Sequence, residues 1–406
     1  MRPRARALAI GVAAAALGLA ACGGTKLLHQ GASTVTIGIP SKTPQAAQRL
    51  GFPSLATKNT TRVAGSDPAA DAAGVALAVY PSAAPGTHPQ AVTIAPSSDW
   101  QAAIASAVLM APPIKAPILF SDATTLPSAS ADALTALAPT GSGTAGGAQV
   151  IRIGTVATPQ GLHVASIKGT DPYTLAAGID RFASAAQGKT SSDVVIASAA
   201  SPAYAMPAAG WAAESGDPVL FVSPTGIPAA TRQALLAHQS PRIYVLGPPS
   251  VVSPAVFSEL HKYGSVKRVG ADGTAANSVA FAEYRDPPCT YGQPCAHVPG
   301  SFGWAIRSPG HGYVLLNSQQ PLTAAAAAPL SGSGDFGPQL VLDNATNLPR
   351  SVLDFFLNYA TPGYTQEGPT AAVYNHGWVI GDQSQISVGV QAQVDNLLEA
   401  VPQNTK

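Results

Sequence analysis

The 406-residue chain combines 46% apolar side chains with only 11% charged ones, where soluble chains average about 25% charged. So much apolar content excludes an intrinsically disordered chain. Twenty-two Lys plus Arg against 21 Asp plus Glu leave no basic excess for a nucleic-acid backbone, so no nucleic-acid partner is expected.

The first 21 residues read as an export signal. Arg2, Arg4 and Arg6 precede an apolar run, Ala7 to Ala21, shorter than the roughly 20 residues a membrane-spanning helix needs. The run ends Leu19-Ala20-Ala21-Cys22-Gly23-Gly24, similar to a bacterial lipobox, in which cleavage before the cysteine exposes Cys22 for lipidation. The alternative is an ordinary signal peptide that ends in Cys. Loss of residues 1–21 removes three arginines and no acid, leaving 19 basic against 21 acidic side chains. A lipid-anchored, near-neutral, extracytoplasmic protein facing the cell wall is expected, its membrane contact made through the anchor.

Residues 22–60 read as a tether, with one strand-like piece at Thr34–Ile39. Beyond it the chain repeats itself, the signature to seek before any element is assigned. Gly65-Ser66-Asp67, Gly169-Thr170-Asp171 and Gly270-Ala271-Asp272 are 104 and 101 residues apart, each before an Ala-rich helical stretch: Ala69–Val79, Tyr173–Ala186 and Thr274–Tyr284. Apolar runs Val92–Ala95, Val194–Ala197 and Val314–Asn317 follow in the same order. Pro117–Phe120, Pro218–Phe221 and Leu340–Leu342 come next, each leading to a Pro-started helix at Pro127, Pro228 and Pro349. Runs closing on Gly154, Gly247 and Gly381 complete the pattern.

Short apolar strands alternating with helices of roughly 10–15 residues predict βαβ units and parallel sheets. Continuously apolar strands are expected where helices cover both sheet faces. The predicted architecture is α/β: three tandem Rossmann-like repeats of about 100 residues with parallel sheets, at 61–164, 165–264 and 265–401. The third is lengthened between Tyr284 and Tyr313, where Cys289 and Cys295 lie. Two cysteines this close in an exported chain are expected to pair as a disulfide. A metal site with His297 is the weaker alternative, since a structural zinc set needs a fourth ligand.

These repeats resemble the cell-wall-binding repeat 2 family, on Arg62-Val-Ala-Gly65-Ser-Asp67, Pro117–Phe120, Pro218–Phe221 and Tyr244–Gly247 with Pro248–Ser253. The resemblance covers about residues 61–400. It implies three α/β units around a pseudo-threefold axis and a non-catalytic protein attached to wall polymer or glycan, anionic in well-known members. The sequence departs from the family pattern in the motif arginine, kept as Arg62, replaced by a shifted Lys168, and displaced to Arg268. The Asp-Ala-Leu motif is also missing; Trp100–Ala102, Tyr204–Met206 and Leu322–Ala324 occupy that region.

No Gly-x-Ser-x-Gly, Ser-x-x-Lys or His-Glu-x-x-His pattern occurs, and Gly141–Gly147 lacks the lysine of a phosphate loop. No enzyme, cofactor or metal is expected, and His311 and His376 read as loop residues. Asp67, Asp171 and Asp272 are expected to cap the helices after them. On the functional reading, Arg62, Asp67, Lys168, Asp171, Arg268 and Asp272 line a shared polymer-binding surface at the strand ends. Trp100, Tyr204 and Trp304 are either sugar-stacking platforms or packing residues. An envelope protein is a further possible partner. The rival function is the substrate-binding lipoprotein of a transporter, which predicts two lobes around one cleft.

Overall fold

Each repeated apolar run becomes a strand and each repeated helical stretch a helix in the computed structural model, which describes residues 55–288, 300–333, 337–364 and 373–402. Strands β1 (Leu55–Ala56) and β2 (Thr60–Val63) lead through the first Gly-x-Asp turn into α1 (Pro68–Val79). Then come β3 (Val92–Pro96), α2 (Trp100–Ser106) with a 3-10 turn Ala107–Met110, β4 (Ile118–Ser121), α3 (Ser128–Leu137) and β5 (Val150–Ile153). Strand β6 (Val164–Ile167) opens the next round: α4 (Pro172–Gln187), β7 (Asp193–Ser198), α5 (Pro202–Ala205), α6 (Pro207–Ser215), β8 (Val219–Val222), α7 (Ala229–Ala237), β9 (Arg242–Leu246) and α8 (Pro254–Leu260). The last round runs β10 (Ser265–Val269), α9 (Thr274–Glu283), β11 (Gly312–Asn317), α10 (Leu322–Ser331), β12 (Gln339–Leu342), α11 (Arg350–Phe355), β13 (Gly363–Tyr364), β14 (His376–Ile380), α12 (Val388–Leu397) and β15 (Val401–Pro402). The prolines expected to start helices stand one residue earlier, as N-caps at Pro127, Pro228 and Pro349. Residues 34–39, Cys22, Cys289 and Cys295 lie outside the described residues.

Three sheets share one strand order: β4-β3-β5-β6, β8-β7-β9-β10 and β12-β11-β14-β2. All these pairings are parallel, and β1 adds an antiparallel edge to the third sheet. The strand that opens each sequence repeat therefore pairs with the sheet of the repeat before it. For β2 that sheet is formed by the far end of the chain: Arg62 lies opposite Val379 and Val63 opposite Ile380. The closure is latched at Asn59, whose N–H donates to Asp395 Oδ1 at 2.6 Å and whose amide donates to Glu399 Oε2 at 3.0 Å, beside a Lys58–Glu399 ion pair.

The helices after the first strand of each sheet, α2, α5–α6 and α10, pack on one another, and α1 packs along α10. Their sequences explain why. Residues Ala324–Ala328 of α10 and Ala208, Ala209, Ala212 and Ala213 of α6 are all fully buried. A helix that is apolar all round is an interior helix, and alanine side chains let axes approach at the short end of the ~8–10 Å range. The low charge of the chain thus has an interior cause: a helical core built of alanine rather than of large side chains. Among the described residues no helix is long and apolar enough to cross a membrane.

Candidate functional site

In open parallel sheets ligands bind beyond the carboxyl ends of the strands, and the three Gly-x-Asp turns stand there, each following the fourth strand of a sheet. The glycine of the first turn is required by close approach. A Cβ at Gly65 would sit 2.7 Å from a backbone carbon of Ala70 in α1, and at Gly169 2.8 Å from Leu175 of α4. The aspartates then cap. Asp67 Oδ1 accepts from the N–H groups of Ala69 and Ala70 at 2.9 and 3.0 Å, satisfying donors that the first helical turn leaves open. Asp171 does the same for Tyr173 and Thr174 at 2.9 and 3.0 Å, and Thr174 completes a capping box. Burial pulls the Asp171 carboxyl up, but these bonds outweigh it and hold the group below its ordinary value.

Asp272 departs from the expectation. Gly273 is inserted between it and the helix, takes the N-cap position itself at φ +87°, and leaves Asp272 exposed without a capping bond. Asp67 and Asp171 instead precede the helical prolines Pro68 and Pro172 directly.

The arginines turn inward. Arg62 is 1% exposed; its guanidinium donates to Gln391 Oε1 at 2.9 Å and to the carbonyls of Gly381 and Asp382 at 2.8 and 3.0 Å. Burial lowers its pKa to about 10. Arg268 donates to the carbonyls of Gly247 and Val252 at 2.7 and 2.9 Å and lies over the Phe257 ring. Both brace the turn that leaves the third strand of their sheet. In the first sheet the corresponding position on β6 is Ser166, opposite Arg152 of β5. Arg152 supplies the missing guanidinium from that neighbouring strand, to the carbonyls of Val156 and Ala157. Lys168 is therefore not the counterpart of Arg62; it lies exposed beside the second turn.

At each seam the loop leaving one sheet meets the Gly-x-Asp turn of the next unit. At the first, Asp99 caps α2 through Ala102 N–H at 2.9 Å. Burial raises its pKa, and the charge of nearby Asp171 adds to the rise. At the second, Gly273 N–H donates to Tyr204 Oη at 3.0 Å and Thr274 donates to Asp343. At the third, Asp71 of α1 is fully buried and accepts from Gly65 N–H at 2.7 Å through Oδ1, while Oδ2 has no hydrogen-bond partner within about 3.5 Å among the described residues. Burial, with Asp67 and Asp382 nearby, raises its pKa to about 7. Leu175 and Asn277 face the motif glycine at the other two turns. The strand ends thus present carboxylates, hydroxyls and backbone groups, with two of the three predicted cations spent on carbonyls.

Two of the three aromatic candidates pack, and the third, Tyr204, is half-buried at the second seam with its hydroxyl bonded to Gly273. Trp304 is 6% exposed and meets Trp211 edge-on at 5.4 Å, while Trp100 meets Phe221 edge-on at 5.7 Å. His311 is a half-buried loop residue as expected, whereas His376, also half-buried, is not in a loop but opens β14 opposite Gly312; its N–H donates to the His311 carbonyl at 3.2 Å. Arg152 and Asp71 did not stand out in the sequence as site residues. Each had a signal: a lone charge inside an otherwise apolar strand, and a lone acid inside an alanine helix.

Residues 166–257 match the family model of Cell wall binding domain 2 (CWB2), a stretch that runs from β6 through the second Gly-x-Asp turn into α8. Two solved structures share the fold. Cwp8 from Clostridium difficile superposes with a TM-score of 0.59 at 15% identity, covering 84% of this chain and 52% of that one. Cwp6 from the same organism gives 0.64 at 16% identity, covering 84% of this chain and 48% of that one. This chain spans about half the length of either protein. No curated protein matches the sequence.

Proposed function

We propose that this chain is a non-catalytic, extracytoplasmic envelope protein that holds cell-wall polymer through three related α/β units. The observation that carries this reading is the Cell wall binding domain 2 match over 166–257, in a chain whose three sheets repeat one strand order. Cys22 carries a lipid anchor, the expected tether of residues 22–60 is shortened to 22–54 because residues 55–60 belong to the third sheet, and Cys289 pairs with Cys295 in the lengthened third unit. The strand-end surface around Asp67, Asp171, Asp272 and Lys168 meets the polymer, with Arg62 and Arg268 holding its turns in shape. A surface of carboxylates and hydroxyls is the wrong sign for gripping a polyanion through many charge contacts. It suits hydrogen bonding to sugar hydroxyls.

The test is retention of the purified chain lacking residues 1–21 on isolated envelope fractions, with competing polymers. Retention by a wall-polymer fraction, relieved by that polymer, is expected. Retention by no fraction, together with tight binding of one small metabolite, overturns the reading in favour of a transporter's substrate-binding lipoprotein. Mass spectrometry of the full chain expressed in an exporting host is expected to find an acylated amino terminus at Cys22. A Cys22→Ala chain is expected to leave the membrane fraction.

A further inference from the structure

A cavity of 260 Å3 opens between α4 and α7 of the second unit. Its floor is an ion pair taken almost wholly out of water: His238 and Asp180 side chains are 1% and 7% exposed, with Nε2 2.9 Å from Oδ2 and 3.1 Å from Oδ1. The other ring nitrogen, Nδ1, is 2.8 Å from the Ser191 carbonyl oxygen. Both nitrogens face oxygens, an arrangement that an imidazolium over the Asp180 carboxylate satisfies. The bonds to Asp180 and Ser191 raise the His238 pKa against the opposing effect of burial.

This floor is neutral as a pair, and it is not saturated. A carboxylate offers about four lone-pair sites. Among the described residues Asp180 takes only the shared Nε2–H and a Ser184 hydroxyl at 3.4 Å. Around the floor stand Arg181, Ser184 and Gln233, which supply a guanidinium, a hydroxyl and an amide. An anion entering here would press against Asp180, and a cation would face the imidazolium and Arg181. A neutral polyol meets neither objection. Adjacent hydroxyls donate to Asp180, and the same oxygens accept from Arg181 and Gln233. The volume lies just below the roughly 300–1,000 Å3 of drug-sized pockets, enough for one ring and too little for an oligosaccharide.

We propose that this cavity seats a single neutral sugar unit bearing a vicinal diol, as one contact of the second unit with wall polymer. The proposal rests on the polymer-binding reading above and names the chemistry of one subsite.

The test is ligand-observed saturation-transfer NMR on the full chain with methyl α-mannoside, methyl β-glucoside, methyl β-galactoside and inorganic phosphate. Saturation transfer to at least one glycoside is expected, with loss of the signal in Ala230→Phe, which fills the cavity. Arg181→Ala and Gln233→Ala change exposed residues and keep the test open if the filled variant does not fold. Together they are expected to weaken glycoside binding about tenfold. No transfer from any glycoside, transfer that survives Ala230→Phe, or binding of phosphate alone overturns the proposal. Envelope retention of the wild-type chain is measured alongside. A chain retained by envelope with no glycoside in the cavity overturns this inference and leaves the function standing. A seated glycoside in a chain that no envelope fraction retains overturns the function instead.

Discussion

The first and third sheets solve one problem from opposite strands. In the third, the fourth strand comes from the beginning of the chain, and Arg62 on it reaches the carbonyls of Gly381 and Asp382 beyond β14. In the first, the fourth strand β6 follows directly in sequence and carries Ser166, while Arg152 of β5 performs the bracing. The glycines that end the third strands make the same bond in all three sheets: Gly154 N–H to Ile167 carbonyl at 2.8 Å, Gly247 to Val269 at 2.9 Å, and Gly381 to Val63 at 2.9 Å. What recurs is a turn whose carbonyls need a cation, and either strand can supply it. The Arg-x-x-Gly-x-Asp pattern is then chiefly an instruction for building the sheet end: the arginine braces, the glycine admits the helix, the aspartate caps it.

The comparison breaks most visibly at Arg62. Arg62→Ala removes a buried guanidinium and leaves the Asp382 carbonyl and the Gln391 side chain short of a donor, at the one sheet closed by a distant strand. A loss of about 3–5 kcal/mol is expected in urea unfolding. An Arg62→Ala chain as stable as the wild type would show that the closure does not depend on this brace.

Asp71 sharpens the contrast between seams, because Asn277 faces the corresponding glycine at the second turn and is neutral at every pH. The folded-state pKa of Asp71 is raised to about 7 from the ordinary 3.8. The protonated carboxyl therefore favours folding fully below pH 4, and this contribution is lost as pH rises from about 4 to about 7. Asp71→Asn is expected to match the wild type near pH 4 and to exceed it by roughly 4 kcal/mol at pH 8, the free-energy equivalent of raising the pKa from 3.8 to about 7. Equal stability curves across that window would place the ionised carboxylate in a better environment than its burial implies.

The strand exchange of the brace can be tested directly. Arg152→Val is expected to cost about 1–2 kcal/mol, less than Arg62→Ala because Arg152 is only half-buried. Adding Ser166→Arg places a guanidinium on β6, where Arg62 and Arg268 stand on theirs, and is expected to restore most of the loss in thermal unfolding. A double variant no more stable than Arg152→Val would mean that the two positions are not interchangeable.

Much of this fold could be read from the sequence because its periodic signals are local: apolar runs, glycine-aspartate turns, prolines before helices. Every repeated strand was in place to within two residues. What could not be read was pairing across the chain. Nothing local in Thr60–Val63 says that its partner is His376–Ile380, and without that pairing Arg62 looks like a surface cation of a binding motif. The inward turn of Arg268 and the substitution of Arg152 for an arginine on β6 were hidden for the same reason. Register between strands decides them, and a single sequence does not carry register. The His238–Asp180 pair was equally hidden, since Asp180 lies on α4 and His238 caps the end of α7, 58 positions apart.

The three aspartates give the finest form of the comparison, since they look equal in sequence and are not equal in structure. Asp171 caps with a reciprocal threonine, Asp67 caps alone, and Asp272 does not cap because Gly273 holds the position. Replacement by alanine is expected to cost about 1–2 kcal/mol at Asp171, about 1 at Asp67, and within about 0.5 of nothing at Asp272. The order matters more than the sizes. If stability follows it while envelope retention falls equally for all three, the aspartates have a shared task at the surface beyond capping. If retention instead tracks stability, so that Asp272→Ala is retained like the wild type, the motif aspartates serve the helices and the polymer is held elsewhere. Asp272 separates the two outcomes, because it has no cap to lose.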